Sequence, residues 1–407
     1  MQNVYDVLNQ RGFIKQCSHP EELRELLGRE KVTFYIGFDP TADSLHIGHY
    51  VALMTMAHMQ RHGHRPIALL GGGTAFVGDP SGKTDMRRML SEEDLDYNAK
   101  RFKSQMERLI DFGDGGAVIV NNANWLRPLN FLNFMREIGS LFSVNRMLSA
   151  ECYRQRMERG LTFFEMSYML MQSYDFLMLN REYGCILEMG GDDQWSNILS
   201  GADLIRRKES KPAFALTTPL LSTRDGKKMG KTEKGAIWLD KNKCSVFDFY
   251  QYFRNVDDAD VKTFLTMLTF IPMDEIEIMC REGGASLNEA KRVLAYTLTE
   301  QVHGTDEAEK ARESAEALFA GGGSLENMPT LTLCDADIES TGLRVTDLLA
   351  LSGLCKSKSD ARRMIESGAV FVGDDKVTDI HSRINESDLA QGVIFRKGKK
   401  GFVRIRK

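Results

Sequence analysis

Two hydrophobic periods alternate over the first 240 residues of this chain. VTFYIGF (32–38) is a β-branched and aromatic run that predicts a strand. LHIGHYVALMTMAHMQRHG, from Leu45, carries apolar residues at helical spacing and stops at Gly63, which predicts a helix of about five turns. PIALLGGG (66–73) is continuously apolar, as expected of a strand buried on both faces. GAVIVNN (116–122) and YGCILEMGG (183–191) supply further strands of the same sheet, and SYMLMQSYDFL (167–177) reads as a helix between them. Strand–helix–strand alternation of this kind implies an α/β domain with a doubly wound, Rossmann-like parallel sheet.

After about Lys241 the strand signals stop. Residues 245–319 read as helices, with KRVLAYTLTEQVHG and DEAEKARESAEALF the clearest, and GGGSLENMP (321–329) reads as a linker. The tail then runs through two helices (TDLLALSG, SKSDARRMIESG), a strand (AVFVGDDKV) and a hairpin (GVIFRKGKKGFVRIRK). The expected organisation is therefore an α/β domain over 1–240, an α-helical domain over 241–322, a linker over 323–342 and an α+β module over 343–407.

Length agrees with this division, since 407 residues exceed what one compact core accommodates. Charge adds an asymmetry. Residues 344–407 hold 14 Lys/Arg against 8 Asp/Glu, a net of +6 in a chain whose total is −4, which leaves −10 for the remainder. A basic terminal module on an acidic body points to a polyanionic partner held by the tail; a merely solvated tail is the alternative. The seven cysteines are scattered and never form C-x-x-C, which argues against a disulfide framework and a structural zinc. Most of them are expected to be small buried hydrophobes in a reducing compartment. The opening MQNVYDVLNQRG lacks a basic start and an apolar h-region. No segment approaches the ~20 apolar residues of a membrane span. A cytoplasmic protein without a membrane partner is expected.

The candidate chemistry begins where the first predicted strand gives way to a helix. His46 and His49 share a helix face, which admits a metal pair or an ordinary surface pair. Their position favours a third reading. Helix N-termini present free N–H groups and partial positive charge, Thr41 and Ser44 are available to cap, and two imidazoles there can donate to phosphate and ribose oxygens. Gly48 leaves the first turn bare, so that a flat base can lie against the backbone. This is a nucleotide site without the dinucleotide fingerprint, because no G-x-G-x-x-G follows the strand. GDPSGKTDMRR (78–88) has three residues between Gly78 and Gly82 where a P-loop needs four, so it remains a loop carrying Asp79, Lys83 and Arg87. A solvated charged loop is its alternative. In SYMLMQSYDFL, Tyr168, Gln172 and Asp175 fall within a narrow arc of an otherwise apolar helix. Buried polar groups need partners, so the stripe either forms a core network or lines a cavity for a small polar ligand. GGDDQWSN (190–197) ends a strand at the edge where such sheets bind ligands. STRDGKKMGKT (222–232) is a glycine-flanked cationic loop whose Lys228 and Lys231 can close over a phosphate chain.

Together these segments resemble the class I aminoacyl-tRNA synthetases. HIGH at 46–49 matches one class signature in full, and KMGKT at 228–232 is similar to the second, KMSKS. The ordered set YIGFDPTADSLHIGH, GDPSGK, SYMLMQSYDF, GGDDQW and KMGKT is similar to the bacterial tyrosyl-tRNA synthetase family over nearly the whole chain, and the tail resembles an S4-like RNA-binding module. The resemblance implies activation of L-tyrosine by ATP to tyrosyl-adenylate, then transfer of the tyrosyl group to tRNA(Tyr). It implies Mg²⁺ accompanying ATP, no tightly bound cofactor or zinc, and a homodimer. Carried over by motif, Thr41 and His46 would contact the γ-phosphate and His49 the ribose. Lys83, Arg87, Lys228 and Lys231 would hold the leaving pyrophosphate, Asp193 the ribose hydroxyls, and Gly48, Gly191 and Thr232 would join the ATP side. Asp79, Tyr168 and Gln172 would take the α-ammonium group, and Tyr35 and Asp175 the phenol hydroxyl, with Gly37, Asp39 and Gln194 beside them. Lys356, Lys358, Arg362 and Arg363 would meet RNA phosphates, which give affinity without sequence choice.

Three positions depart from the family pattern. Ile36 stands where some members carry Cys, and Glu188 and Asp192 stand where others carry Gln and Ser, which makes the expected pocket floor more acidic. Three rivals remain at this point: the tryptophan enzyme of the same fold, a non-catalytic RNA-binding relative, and a nucleotidyltransferase that acts without RNA. Tyr35 and Asp175 argue against the first, the intact histidines and lysines against the second, and the basic tail against the third. Lys231→Ala is expected to slow adenylate formation far more than it weakens tyrosine binding, because pyrophosphate contacts tighten in the transition state. Unchanged single-turnover rates would remove Lys231 from the mechanism.

Overall fold

A computed structural model describes the chain except for Met1 and residues 80–90, 159, 223–230, 233–234, 282–283, 321–329, 374, 391 and 399–400. Two units emerge: residues 1–240 with 259–282, and residues 241–258 with 283–407.

The first unit is built on a six-stranded sheet. Its strands are β1 (Gln16–Cys17), β2 (Thr33–Phe38), β3 (Arg65–Leu70), β4 (Val118–Asn121), β5 (Leu187–Gly191) and β6 (Phe214–Thr218), in the spatial order β1-β6-β5-β2-β3-β4. All neighbours pair in parallel except β1 on β6. The strands β2 to β5 lie where the apolar runs predicted them. β6 was not predicted, because two of its five buried residues, Thr217 and Thr218, read as polar. β1 is too short to carry a period, and it closes the sheet edge with an antiparallel rung. From β2 the chain winds outward through β3 and β4, then returns to the other side of β2 through β5 and β6. That reversal between β2 and β5 is the switch point at which such sheets open a crevice beyond their carboxyl ends.

Two helices flank the crevice. The Ile47–Arg61 helix starts at His46, whose side chain accepts the Gly48 N–H at 3.0 Å, while His49 Nδ1 accepts the His46 N–H at 3.2 Å. The expected caps, Thr41 and Ser44, do not have that role; Ser44 Oγ donates to Leu45 O instead. Imidazole nitrogens two and three residues apart form the same reciprocal box that Ser and Glu usually supply. The Phe163–Tyr183 helix is longer at both ends than its apolar stretch suggested. Thr162 and Glu165 form its capping box, and Gly184 ends it with φ of 64°, the left-handed geometry that glycine adopts without strain.

Residues 259–282, expected in the helical domain, pack with the first unit. The buried Arg11 helps to hold them there, alongside Phe270, which packs against Arg61 and His58. The Arg11 guanidinium donates to the carbonyls of Thr266 (2.8 Å), Thr269 (2.9 Å) and Ile271 (2.5 Å), satisfying the end of the Asp258–Leu268 helix.

In the second unit, helices Val246–Arg254, Ala285–His303 and Thr305–Ala320 pack together, with Tyr296 donating to Glu309 at 3.0 Å. The terminal module has its own core around Leu348, Leu349, Ile365, Val370, Phe395 and Ile405. The small ladder β7 (Lys231–Thr232) and β8 (Gly235–Ala236) belongs to the first unit, whereas β9 (Thr330–Thr332), β10 (Val370–Val372), β11 (Asp375–Lys376), β12 (Val393–Lys397) and β13 (Gly401–Arg406) form the module's sheet. β12 and β13 make the predicted hairpin. The stretch 323–342, expected as linker, differs in its described part: β9 pairs in parallel with β13, and an Asp335–Thr341 helix follows. Leu333 buries itself in the module core, and that burial fixes the segment.

Candidate active site

The crevice is a cavity of about 290 Å³ walled by the ends of β2, β3 and β5, the Phe163–Tyr183 helix and the first turn after His46. Parallel register places Tyr35 directly beside Glu188, so both side chains leave the same face of adjacent strands. Tyr35 is 1% exposed, Glu188 2% and Asp175 2%.

The inner end of the cavity is a polar network in an apolar shell. Asp175 accepts from Asn122 Nδ2 at 2.8 Å and from Trp125 Nε1 at 2.7 Å. Asn122 in turn donates to Thr74 Oγ1 at 3.0 Å and accepts the Gly73 N–H at 2.7 Å. Gln172 Nε2 donates to Glu188 Oε1 at 2.9 Å. Three atoms of the wall have no hydrogen-bond partner: the Tyr35 hydroxyl, Gln172 Oε1 and Glu188 Oε2. Burial pushes Asp175 up to about 8, against the pull of the Asn122 and Trp125 donors. Burial likewise pushes Glu188 up to about 7, against the Gln172 donor and the Tyr35 hydroxyl, which lies close to the carboxyl without meeting hydrogen-bond geometry. The Tyr35 phenol rises well above its ordinary value, first from burial and then from the neighbouring Glu188 charge.

Farther out, Asp79 accepts from Gln194 Nε2 at 2.7 Å, and Tyr168 and Asp193 line the same space. Glycines make the room. A Cβ on Gly71 would lie 2.5 Å from Asp39 Oδ1, and one on Gly191 2.7 Å from Asp193 Oδ1. A Cβ on Gly48 would lie 2.7 Å from His46 Cε1, so this glycine also serves the imidazole cap. Gly37 is exposed with open space where a side chain would project, which leaves the β2 backbone approachable. The His46 and His49 rings stack at 3.9 Å between centroids. Both rings accept at Nδ1, so in the neutral form each carries its proton on Nε2.

The sequence-derived residues divide as follows. Tyr35, Gly37, Asp39, Gly48, His49, Asp79, Tyr168, Gln172, Asp175, Gly191, Asp193 and Gln194 line one cavity. Thr41 is exposed, and it and His46 lie in the connection beside the cavity without walling it. Lys83, Arg87 and Lys228 lie outside the described residues. Lys231 and Thr232 pair with Ala236 and Gly235, and only their backbone is described. The chain after that ladder is stitched to the HIGH segment, since Ile47 N–H donates to Ile237 O and Leu239 N–H to Leu45 O, both at 2.9 Å. Of the two acidic departures, only Glu188 reaches the cavity. Asp192 turns to the sheet edge, where Oδ1 accepts from Gln16 (2.6 Å) and Thr217 (2.9 Å). In the terminal module Lys356, Lys358, Arg362 and Arg363 are exposed, with Lys358 paired to Asp347 at 2.7 Å and Arg363 to Asp360 at 3.4 Å.

Sequence reasoning passed over Asn122, Trp125 and Thr74. The available signal was position, because Asn122 follows the carboxyl end of β4, the edge at which these sheets bind ligands. Five carboxylates (Asp39, Asp79, Asp175, Glu188, Asp193) and no Lys or Arg line the cavity, so its described walls suit a ligand with an ammonium group and hydroxyls. Among the described residues no group of three or more His, Cys, Asp or Glu is arranged to hold a metal.

A family model described as "tRNA synthetases class I (W and Y)" matches residues 28–320, and one described as "Tyrosine--tRNA ligase SYY-like C-terminal domain" matches 323–405. The chain is 59% identical over 406 residues to the tyrosine–tRNA ligase of Clostridium kluyveri, covering 100% of this chain and 99% of that one. It is 56% identical over 407 residues to that of Clostridium botulinum, again across 100% and 99%. Among solved structures, a C-terminally truncated mitochondrial tyrosyl-tRNA synthetase of Aspergillus nidulans superposes with a TM-score of 0.70 at 30% identity, over 78% of this chain and 95% of that one.

The raised Glu188 value has a consequence for stability. A carboxyl whose folded value lies above its ordinary 4.5 supports the fold fully at lower pH and loses that support as pH rises through about 7. Glu188→Gln, which cannot ionise, is therefore expected to gain stability over the parent at about pH 8 by on the order of 2–3 kcal/mol, and to gain nothing at about pH 4.5. Urea midpoints at the two pH values test this; an equal difference at both would mean that Glu188 ionises normally.

Proposed function

The chain belongs to the class I tRNA synthetases of the W and Y type and attaches tyrosine to tRNA using ATP, and we propose that the cleft divides this work between reading the amino acid and holding the phosphates. The observation that carries the proposal is the set of unpartnered atoms on the cavity wall. The Tyr35 hydroxyl and Gln172 Oε1 are buried and unsatisfied, which costs free energy unless a ligand supplies the missing bonds. A phenol hydroxyl answers Tyr35 and Asp175. An α-ammonium group answers Gln172 Oε1, with Tyr168 and the Asp79 carboxylate held by Gln194 alongside.

With the ring seated inward, the substrate carboxylate points toward the first turn after His46. Gly48 and His49 receive the nucleotide there, Asp193 takes its ribose hydroxyls across Gly191, and Thr41 and His46 reach the outer phosphates by Nε2–H and hydroxyl donation. A tyrosine carboxylate oxygen attacks the α-phosphorus, the bond to the bridging oxygen breaks, and pyrophosphate leaves. The 3′-terminal ribose hydroxyl of tRNA(Tyr) then attacks the tyrosyl carbonyl and AMP departs. No enzyme group becomes covalently attached, so rate comes from positioning and from charge placed where negative charge develops. Mg²⁺ enters with ATP as part of the substrate. Lys83, Arg87, Lys228 and Lys231 are proposed to neutralise the pyrophosphate, with Lys231 and Thr232 carried by a ladder whose following strand is tied to the HIGH segment.

For the tRNA, the exposed Lys356, Lys358, Arg362 and Arg363 of the S4-like module are the proposed phosphate contacts. A homodimer accounts for a second feature: of the ten exposed large apolar side chains among the described residues, six fall within 131–164, including Phe131, Leu132, Phe163 and Phe164. Light scattering is expected to return twice the chain mass; a monomer at micromolar concentration would refute this. No helix among the described residues is long and apolar enough to cross a membrane, and the proposed setting is the cytoplasm, where charged tRNA is consumed.

ATP–pyrophosphate exchange is expected with tyrosine and not with tryptophan or phenylalanine. A site built to bond a hydroxyl is left with unpaired buried groups when phenylalanine enters, an effect of which tyrosyl-tRNA synthetases are themselves the standard example. Equal exchange with phenylalanine would defeat the assignment of Tyr35 and Asp175.

A further inference from the structure

Glu188 is an acid in a place that asks for a donor. Its Oε1 accepts from Gln172, while Oε2 has no partner and faces Gly201 and Phe176, where a Cβ added to Gly201 would stand 3.2 Å from it. Beside it on β2 the Tyr35 hydroxyl is also unpartnered. An ionised Oε2 against a glycine and a phenyl ring would be poorly solvated; a protonated one has a hydroxyl next door to donate to.

We propose that Glu188 is a positioning residue that works as a neutral acid: its Oε2–H donates to the Tyr35 oxygen, which turns the Tyr35 O–H toward the phenol oxygen of the substrate tyrosine. The inference rests on the reading that Tyr35 and Asp175 bind that phenol. The hydrogen bonds then run one way, from Glu188 to Tyr35, to the substrate phenol, and on to Asp175. If Glu188 loses its proton it can only accept. Tyr35 then donates back to Glu188 and presents a lone pair to the phenol oxygen, so that one substrate contact becomes a repulsion.

Two buried carboxyls share this pocket, and their donors decide which one holds the proton. Both oxygens of Asp175 accept from groups that can only donate, Asn122 Nδ2 and Trp125 Nε1. A proton on Asp175 would displace one of those bonds, whereas Glu188 has a bare oxygen. Burial raises Asp175 further, to about 8, than Glu188, to about 7, but the two titrate as a unit. The bare Oε2 beside the Tyr35 hydroxyl is the geometric ground for assigning the proton to Glu188. The titratable groups facing Glu188 are Tyr35 from β2, Asp175 from the Phe163–Tyr183 helix and Cys185 before β5, with Asp39 acting on Asp175; none is cationic. From the Trp195–Glu209 helix it meets Gly201, and in β6 its register neighbour is Ala215, neither of which ionises. Burial, which drives the Glu188 carboxyl up to about 7, acts in the required direction.

The test is the pH dependence of tyrosine KM and kcat in ATP–pyrophosphate exchange, with phenylalanine as comparison. From about pH 6.5 to about pH 8.5 the unsubstituted chain is expected to raise its tyrosine KM about ten-fold with little change in kcat, as the neutral acid is titrated away. Glu188→Gln, whose amide N–H donates to Tyr35 at every pH, is expected to hold KM flat over that range. Glu188→Ala, which offers no donor, is expected to raise KM at all pH values. Coincident pH profiles for the parent and Glu188→Gln overturn the proposal. If the parent still rejects phenylalanine in that case, the phenol reading survives; if it accepts phenylalanine, that reading has failed as well. A readout that needs no variant is the infrared carbonyl band of a protonated carboxyl in the tyrosine-bound protein. A band that shifts on carbon-13 labelling of glutamate and fades as KM rises supports the proposal, and its absence at about pH 6.5 overturns it.

Discussion

A buried carboxyl, Asp175, lies at the inner end of the cleft, and most of the site's geometry follows from satisfying it. Asp175 belongs to the Phe163–Tyr183 helix, while its donors, Asn122 and Trp125, follow the end of β4. Asn122 is itself held by Gly73 and Thr74, from the turn after β3. Two strand ends and a helix are thus joined by directional bonds in a medium where a missing partner is costly. Once Asp175 is placed, helical spacing carries Gln172 and Tyr168 outward along the same wall. The strand pair β2–β5 brings Tyr35 and Glu188 to meet them. The hydrophobic shell of Phe176, Leu177, Leu69 and Ile67 makes these bonds strong by keeping the dielectric low.

The cleft has two ends with different physics. Inward, fixed dipoles and acids line the end proposed for the tyrosine ring and its hydroxyl, where selection would depend on hydrogen bonds made or left open. Outward lie bare glycine backbone, a helix N-terminus and two stacked imidazoles, on the side proposed for the nucleotide. Gly48 serves the local fold, because its missing Cβ leaves room for the His46 cap. Hydrogen bonds from Ile47 and Leu239 couple the chain after the β7–β8 ladder to this turn.

Much of this was legible in the chain because it is written in local periods. The runs that became β2, β3, β4 and β5 are mostly apolar, with Glu188 the exception in β5, and a largely apolar run of that length is recognised without other signals. The polar stripe Tyr168, Gln172 and Asp175 stood out for the converse reason, as polar groups in a helix with no polar face. Signals failed where burial contradicts residue type. Thr217 and Thr218 are buried in β6 although threonine reads as a surface residue, and Arg11 is buried because three carbonyls from residues 266–271 surround it. Asp192 and Glu188 looked equivalent as acidic departures, yet one faces the sheet edge and the other the cavity, since Glu188 lies within β5 whereas Asp192 begins the turn that follows it.

What the sequence alone determined was the kind of architecture, the order of its motifs and the chemistry they carry, because hydrophobic period and residue type act over a few positions. Only the tertiary structure decided which groups complete the network. The partners of Asp175 lie about 50 positions away, the contact of Glu188 with Tyr35 depends on strand register, and the cap of the first cleft helix is an imidazole instead of a hydroxyl. Each is settled by the approach of segments remote in the chain, and no local pattern encodes that approach.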